Sequence, residues 1–438
     1  MTSILWLRRD LRVHDLPALR SASEDGPVVA IFVADPVLLR GAGARVDALR
    51  DALAGAQEEY DGRLVVRVGD PAEVLPAVVS ETGATSIHVS GESTPYGRRR
   101  GATAMAALEP LYVPMVATGT PYAVSPGRLL TSAGTGYRVF GPYSRAWHDH
   151  GWERPESAPT KVRFVDLPSD DHALSGGVVH DWAARWADFL DDLDRYGRDR
   201  DRPDRDGTSR MSEPLKYGRV HPRTLLADVA DHPAARTDGA ERFVTELAWR
   251  EFYADVLWHH PRSAWSDLTD ALTRMTYDEP AERFDAWREG RTGYPMVDAG
   301  MRQLATEGWM HNRVRMITAS FLTRDLHVWW PHGARHFLDR LRDGDIASNN
   351  HGWQWVAGTG TDAAPYFRVF NPVTQGEKFD PDGAYVRRHL PELAHLPGKA
   401  AHQPWKALDG YAHGYPERIV DHGDERREAL ARYEAARR

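Results

Sequence analysis

Short apolar runs separated by amphipathic stretches fill the first 130 residues. Ile4–Leu7, Val28–Val33, Leu64–Val68, Ile87–Ser90 and Tyr112–Ala117 are rich in β-branched and aromatic residues and have the length of single strands. The gaps between them include helical segments such as Arg45–Tyr60 and Pro71–Thr82. Strand and helix alternating in this way predict a parallel sheet covered by helices on both faces, a doubly wound α/β domain. Such sheets bind ligands beyond the carboxyl ends of their strands, which here means near Asp35-Pro36 and Gly91–Gly97. No G-x-G-x-x-G follows the first strand, so a standard dinucleotide site is not supported.

The period changes from about residue 175. Trp182, Trp186, Phe189, Leu190 and Leu193 fall at i, i+4, i+7, i+8 and i+11, one apolar face of a helix. Similar faces recur at 241–258, 297–309, 311–326 and 333–342. Residues 131–175 are rich in Pro, Gly, Ser and Asp with weak periodicity and read as a connector. The expected organisation is therefore an α/β domain over 1–130, a connector over 131–175 and an all-α domain over 176–438, with Arg418–Arg438 a charged helix or frayed tail.

Composition narrows the chemistry. A chain of 438 residues can bury sizeable cores in two or three domains. It has no cysteine, which excludes disulfides, thiolate metal sites and a cysteine nucleophile. Redox chemistry would need a bound cofactor, or Trp and Tyr. Of 15 Trp, 11 lie between Trp182 and Trp355, and a large aromatic core accounts for most of them. No run of eighteen apolar residues occurs and the start resembles no leader, so a cytoplasmic protein without membrane spans is expected. The net charge is −8, yet residues 195–223 carry nine Arg/Lys against five Asp/Glu, and 302–342 seven against three. These runs are either a basic cleft for a phosphate backbone or solvated helix faces.

Four motifs concentrate polar and aromatic groups. Tyr196 is followed by GTSRMS at 207–212, where Thr208, Ser209 and Ser212 offer hydroxyls ahead of a helix expected near Glu213-Pro214. That suits a pyrophosphate or an ordinary helix cap. In ELAWREFY, Glu246, Trp249, Arg250 and Tyr253 share one helical face that is poor core material and suits a planar polar ligand, unless Glu246 and Arg250 simply pair. In GWMHNRVRM, Asn312, Arg315 and Met316 share a face while Arg313 points elsewhere, towards a phosphate; an inward Arg315 needs a carboxylate, and Asp343 is the candidate. The stretch Asp343–Asn371 opens with two carboxylates (Asp343, Asp345), two amides (Asn349, Asn350) and two indoles (Trp353, Trp355).

Together with LWLRRDLRVHD at the start, GRTGYPMVDAGMRQLATEG and FNPVTQGEKFD, these motifs resemble the DNA photolyase/cryptochrome family in order along nearly the whole chain, and within it the class I cyclobutane pyrimidine dimer photolyases. The resemblance implies an all-α domain holding FAD and a cavity for a flipped-out dimer, the base leaving the stack so that chemistry can reach it. It implies FAD contacts from Tyr196, Thr208, Ser209, Arg210, Met211, Ser212, Trp249, Arg250, Asn312, Arg315, Asp343, Gly344 and Asp345, with Asn349 facing flavin N5. Glu246, Trp249, Asn312, Met316 and Trp355 match the lesion cavity, and Arg200, Arg313 and Gln375 match contacts to UV-damaged DNA. No metal is implied, and a monomer is the default.

The implied reaction is light-driven dimer splitting by an electron lent from reduced FAD and returned to it. Glu246 and Asn349 match its catalytic positions, and Trp353 and Trp330 match the inner members of a tryptophan chain that reduces the flavin. The outermost place falls on Tyr277, a departure that implies slower or altered photoreduction with repair intact; Trp265 and Trp329 are alternative exits. Asn349, Asn312 and Met316 favour dimer repair over a cryptochrome photoreceptor or a (6-4) photolyase, the alternatives. For the antenna, Asp35, Pro36, Arg45, Glu92 and Gly97 resemble an 8-hydroxy-5-deazaflavin pocket; methenyltetrahydrofolate, or no antenna, stay open.

Overall fold

The structure, a computed structural model, describes residues 1–40, 43–170, 174–362 and 367–437; positions 363–366 of the motif-bearing Asp343–Asn371 stretch lie outside them. The chain forms two compact units, each assembled from separate segments. The first comprises Met1–Tyr137, Gly141–Leu193 and Ser209–Pro261, and the second Arg138–Phe140, Asp194–Thr208 and Arg262–Arg438.

In the first unit five strands form one parallel sheet in the order β3-β2-β1-β4-β5. They are β1 Ser3–Leu7, β2 Val28–Ala34, β3 Val65–Val68, β4 Ser86–Val89 and β5 Met115–Ala117. Side chains alternate between two cores, as strand geometry requires. Leu5, Leu7, Ala30 and Phe32 pack with Leu19, Ala48 and Leu53 of the helices Pro17–Glu24 and Gly43–Glu59. Ile4, Trp6, Val29 and Ile31 pack with Leu75, Val78 and Leu108 of Pro71–Thr82 and Pro95–Leu108. The sheet is doubly wound, and its topological switch lies where β1 adjoins β4. β5 is shorter than the sequence suggested: Tyr112 is in the left-handed region at φ 55°, and Pro114 has no N–H to give to a ladder.

The segment read as a connector is not structureless. Phe140–His150 is an α-helix with Tyr143 and Trp147 buried. Phe140, Tyr143 and Trp147 do stand at i, i+3 and i+7, a signal diluted by the Gly- and Ser-rich residues around them. Trp147 donates its indole N–H to Glu251 at 2.7 Å. Glu251 belongs to Asp238–His259, the longest described helix, and also accepts the backbone N–H of Val124 at 3.0 Å, while Asp255 one turn on accepts that of Gly127 at 2.7 Å. Burial pushes both carboxyls up in pKa, and these donors offset part of the cost.

The second unit is helical. Its core gathers Trp287, Val297, Leu304, Ile317, Phe321, Trp330, Phe337 and Trp353 from successive helices. The face expected over 311–326 is an α-helix, Asn312–Ser320, that widens into a π-helical turn, Phe321–Asp325, all of whose residues are buried. Trp330–Arg340 and Ile346–Ala357 pack beside it. No helix among the described residues is long and apolar enough to cross a membrane.

A buried charge cluster in the first unit sets a pH dependence. Asp15 pairs with Arg223 and receives the N–H of Glu156 at 3.0 Å. Burial opposes its charge, but His221, Glu156 and Arg223 outweigh that and bring the carboxyl to about 2. Burial holds His221 down to about 4 despite Asp15. Between these values and the ordinary ones the unfolded chain binds more protons, so stability rises with pH and is lost on acidification. His221 alone should remove about 2 kcal/mol between pH 7 and pH 5. Urea midpoints at the two pH values measure this, and His221→Gln should flatten the difference.

Candidate functional site

At the carboxyl end of the sheet, Arg8, Asp35 and Glu92 follow β1, β2 and β4. Asp35 accepts the Tyr96 hydroxyl, caps Val37 N at 2.9 Å and lies 3.7 Å from Arg100. The guanidiniums of Arg8 and Arg100 lie 4.9 and 5.4 Å from the Trp6 ring. Burial opposes the charge on Glu92, yet Arg9, Arg8 and the N–H groups of Thr94 and Ser93 hold its carboxyl below the usual range. Gly97 is required here, because a Cβ would fall 2.3 Å from the Glu92 side chain. Pro36 is exposed on the turn that Asp35 caps, and Arg45 is half-buried with its carbonyl accepting Tyr217 at 3.0 Å.

The other first-unit candidates lie on two segments. Glu246, Trp249, Arg250 and Tyr253 form a half-buried stripe on Asp238–His259, flanked by fully buried Leu247, Ala248, Glu251 and Phe252. The stripe is thus not core. Arg250 donates to the carbonyls of Pro121 and Leu215 at 3.3 and 3.2 Å and lies 4.6 Å from the Tyr122 ring. Those bonds make it an anchor for the backbone at Pro121 and Leu215. In the second segment, Arg210 adopts φ 61°, a strained value for a non-glycine residue. Met211 N bonds the Ser209 hydroxyl at 3.3 Å, and the helix that follows runs only from Ser212 to Tyr217.

The second unit carries the remaining candidates, including Tyr196 and Thr208, both half-buried. Arg315 donates to both oxygens of Asp343, at 2.9 and 3.2 Å, and to the Met310 carbonyl at 2.7 Å. Past Gly344, Asp345 caps the next helix through Ala347 N and Ser348 N, both at 3.0 Å. Four residues on, the amide of Asn349 is locked. Its nitrogen donates to the Ala334 carbonyl at 3.1 Å and to Asn350 Oδ1 at 2.8 Å, while Asn350 donates to Ala264 O. Both neighbours are acceptors, so the amide cannot be flipped. Among the described residues no donor reaches Asn349 Oδ1.

The basic runs are largely neutralised within their own units. Arg202 pairs with Asp204, Arg205 with Asp199, Arg219 with Glu59 and Arg302 with Glu392. Arg313 pairs with Asp201 at 2.8 Å and lies 4.4 Å from the Phe379 ring. These members of the basic runs thus have carboxylate partners; a phosphate at Arg313 would have to displace Asp201. Asn312 is exposed, and Met316 and Trp355 are half-buried against the core, with Arg368 lying 5.5 Å from the Trp355 ring. Arg200 lies 5.6 Å from Tyr196, and Gln375 is half-buried on Pro372–Phe379.

Two family models match the chain: DNA photolyase over residues 3–161, and the FAD binding domain of DNA photolyase over residues 243–435. The chain is also 41% identical over 469 residues to a deoxyribodipyrimidine photo-lyase of Streptomyces griseus, with 99% of each covered. It belongs to the DNA photolyase family. The deoxyribodipyrimidine photo-lyase of Escherichia coli is 38% identical, with 100% of this chain and 99% of that one covered. Among solved structures, a class III photolyase from Agrobacterium tumefaciens is similar at TM-score 0.89 and 36% identity, covering 99% of this chain and 97% of that one. A Synechocystis cryptochrome is similar at TM-score 0.89 and 26% identity, covering 98% of each.

Trp353 and Trp330 are both buried in the second core. Gly333, one turn beyond Trp330, lets Trp353 in: a Cβ there would lie 2.3 Å from the indole and 2.5 Å from Leu322. Tyr277 packs half-buried against Leu272, Met275 and Ala436. The residue that the sequence left unnoticed is Asp267, which accepts the indole N–H of Trp330 at 2.7 Å and of Trp329 at 3.4 Å. Nothing in its local sequence marks it, since its partners lie more than sixty residues on.

Gly333→Ala should be destabilising. Alanine gains about 1 kcal/mol of helix propensity, but overpacking costs about 1–3 kcal/mol and two of its three nearest atoms belong to an indole with little room to move. A lowered Tm with altered tryptophan emission is the expected result; a raised Tm would show that the core yields.

Proposed function

We propose that this protein is a lyase that repairs cyclobutane pyrimidine dimers in UV-damaged DNA with light, using FAD. The observation that carries the reading is the locked Asn349 amide in a chain aligned end to end with deoxyribodipyrimidine photo-lyases. With its nitrogen engaged, Asn349 presents a carbonyl oxygen, which accepts from an N–H such as N5–H of a reduced flavin. It stays neutral there, so it cannot compete as an acid. The donor set fits FAD.

Bound FAD supplies light absorption and a one-electron donor. The chain supplies placement. Tyr196, Thr208, Ser209, Arg210, Met211 and Ser212 are assigned to the pyrophosphate side. Arg315, Asp343, Gly344 and Asp345 fix the isoalloxazine side, with Arg315 paired to Asp343. Trp249 and Trp355 each offer an indole on which a pyrimidine of the dimer can stack, and Met316 offers an apolar side chain. Glu246 and Asn312 satisfy the carbonyl and N–H groups of those pyrimidines, which a flipped lesion would otherwise leave unpaired. Arg200, Arg313 and Gln375 hold the DNA backbone. Arg250 supports this set through the loop carbonyls it ties. Trp353 and Trp330 pass electrons inward when the cofactor is oxidised.

The antenna reading is 8-hydroxy-5-deazaflavin beside Asp35, Pro36, Arg45, Glu92 and Gly97. It is supported by the concentration of charged and aromatic groups at the switch point of the sheet, where open α/β folds take ligands.

Protein with its flavin chemically reduced, mixed with UV-irradiated oligo(dT) under blue light, should restore thymine absorbance; no recovery would refute the reading. Trp355→Ala should weaken binding of dimer-containing DNA about tenfold, the loss of one base-stacking platform, with undamaged DNA less affected. Absorption of the purified protein checks the antenna, a deazaflavin band lying at longer wavelength than a folate one.

A further inference from the structure

Three observations bear on where electrons enter the second unit. Trp330 is fully buried, while Trp329, next in sequence, is partly exposed; their ring centroids lie 6.4 Å apart at 67°. Both indole N–H groups point at the same oxygen of Asp267. Burial pushes the Asp267 carboxyl up, making it a better proton acceptor, although the two indoles pull the other way. Tyr277 is placed differently. Its hydroxyl makes no hydrogen bond among the described residues, and burial together with Asp267 pushes the phenol up to about 12. Tyrosine oxidation sheds the phenolic proton, and among the described residues no acceptor makes a hydrogen bond with it. Trp265 is more exposed, but the guanidinium of Arg335 lies 4.9 Å from its ring and opposes a positive charge on it.

We infer that Asp267 couples Trp330 and Trp329 into a two-indole relay in which Trp329, and neither Tyr277 nor Trp265, is the outer electron donor. The inference rests on the photolyase reading above. Once Trp330 has given an electron to Trp353 it is a radical cation, stabilised by the carboxylate on its N–H. Trp329 transfers one electron to it, which restores Trp330 and leaves the charge on Trp329. The Nε1 proton of Trp329 then passes to Asp267, giving a neutral indolyl radical and a protonated carboxyl. A soluble thiol supplies the electron that reduces this radical, and the proton returns from Asp267. Asp267 acts as a positioning and proton-holding residue, and Trp329 as a redox relay.

Trp329→Phe, Asp267→Asn and Tyr277→Phe test the relay, each first compared with the parent by circular dichroism and Tm. Without light, ¹⁵N-indole NMR should show two tryptophan N–H resonances moved by Asp267→Asn and unmoved by Tyr277→Phe. After a flash on protein with oxidised flavin, transient absorption should show an indolyl radical in the parent. Trp329→Phe should lose most of the long-lived radical and of the photoreduction yield. Asp267→Asn should keep the radical protonated for longer, and Tyr277→Phe should match the parent. A tyrosyl radical in the parent that vanishes in Tyr277→Phe, or full photoreduction in Trp329→Phe, overturns the inference. Repair by chemically reduced protein is independent of the relay: its persistence in all three variants isolates the relay, whereas its absence from the parent would defeat the photolyase reading instead.

Discussion

Buried carboxylates that accept hydrogen bonds from distant parts of the chain hold each unit in register. With no disulfide to close a loop, a segment such as 121–127 stays in place because Glu251 and Asp255 would otherwise be unpaired charges in an apolar interior. Asp298 does the same in the second unit, accepting the N–H of Thr292 at 2.7 Å and of Gly293 at 3.0 Å and the hydroxyl of Tyr415 at 2.6 Å. Each such group is costly to bury and more costly to strand. A carboxylate that collects three or four donors therefore leaves its segment few alternative positions.

The same logic places the functional groups. Asn349 is informative because its neighbours are fixed: Asn350 is held by a backbone carbonyl, so it can only accept from Asn349, and the orientation of one amide follows from the next. Arg315 is held between Asp343 and the Met310 carbonyl, and Asp345 closes the N-terminus of the helix on which Asn349, Trp353 and Trp355 stand. That helix is rigid at its start and packed along its length. Side chains on it therefore keep fixed angular relations to one another.

Electrostatics, by contrast, changed its meaning between sequence and structure. Two runs of +4 in an acidic chain suggested free positive charge. Several of those arginines face aspartates or glutamates within their own unit, and exposed pairs of that kind add little stability. Their effect is to hold arginines in defined rotamers. A DNA phosphate at Arg313 would replace Asp201 as the partner, so binding there would be an exchange of anions and sensitive to salt.

The chain by itself determined the two periodicities, hence a parallel sheet followed by helices, because buried strands and helical faces leave different spacings of apolar residues. It determined the family as well, through motifs in order, and pointed to the Arg315–Asp343 partnership, because an inward guanidinium needs a carboxylate. It did not disclose the helix at Phe140–His150, whose three aromatic positions were diluted by glycine and serine, nor the π-turn at Phe321–Asp325, since an extra residue in one turn has no signature in spacing. Only the tertiary structure decided which amide orientation Asn349 holds, which arginines are free, and that Asp267 gathers Trp329 and Trp330. The deciding contacts among them, Asn349 with Ala334, Asn350 with Ala264, Arg313 with Asp201 and Asp267 with the two indoles, join residues far apart in the chain, brought together by packing that no local pattern encodes.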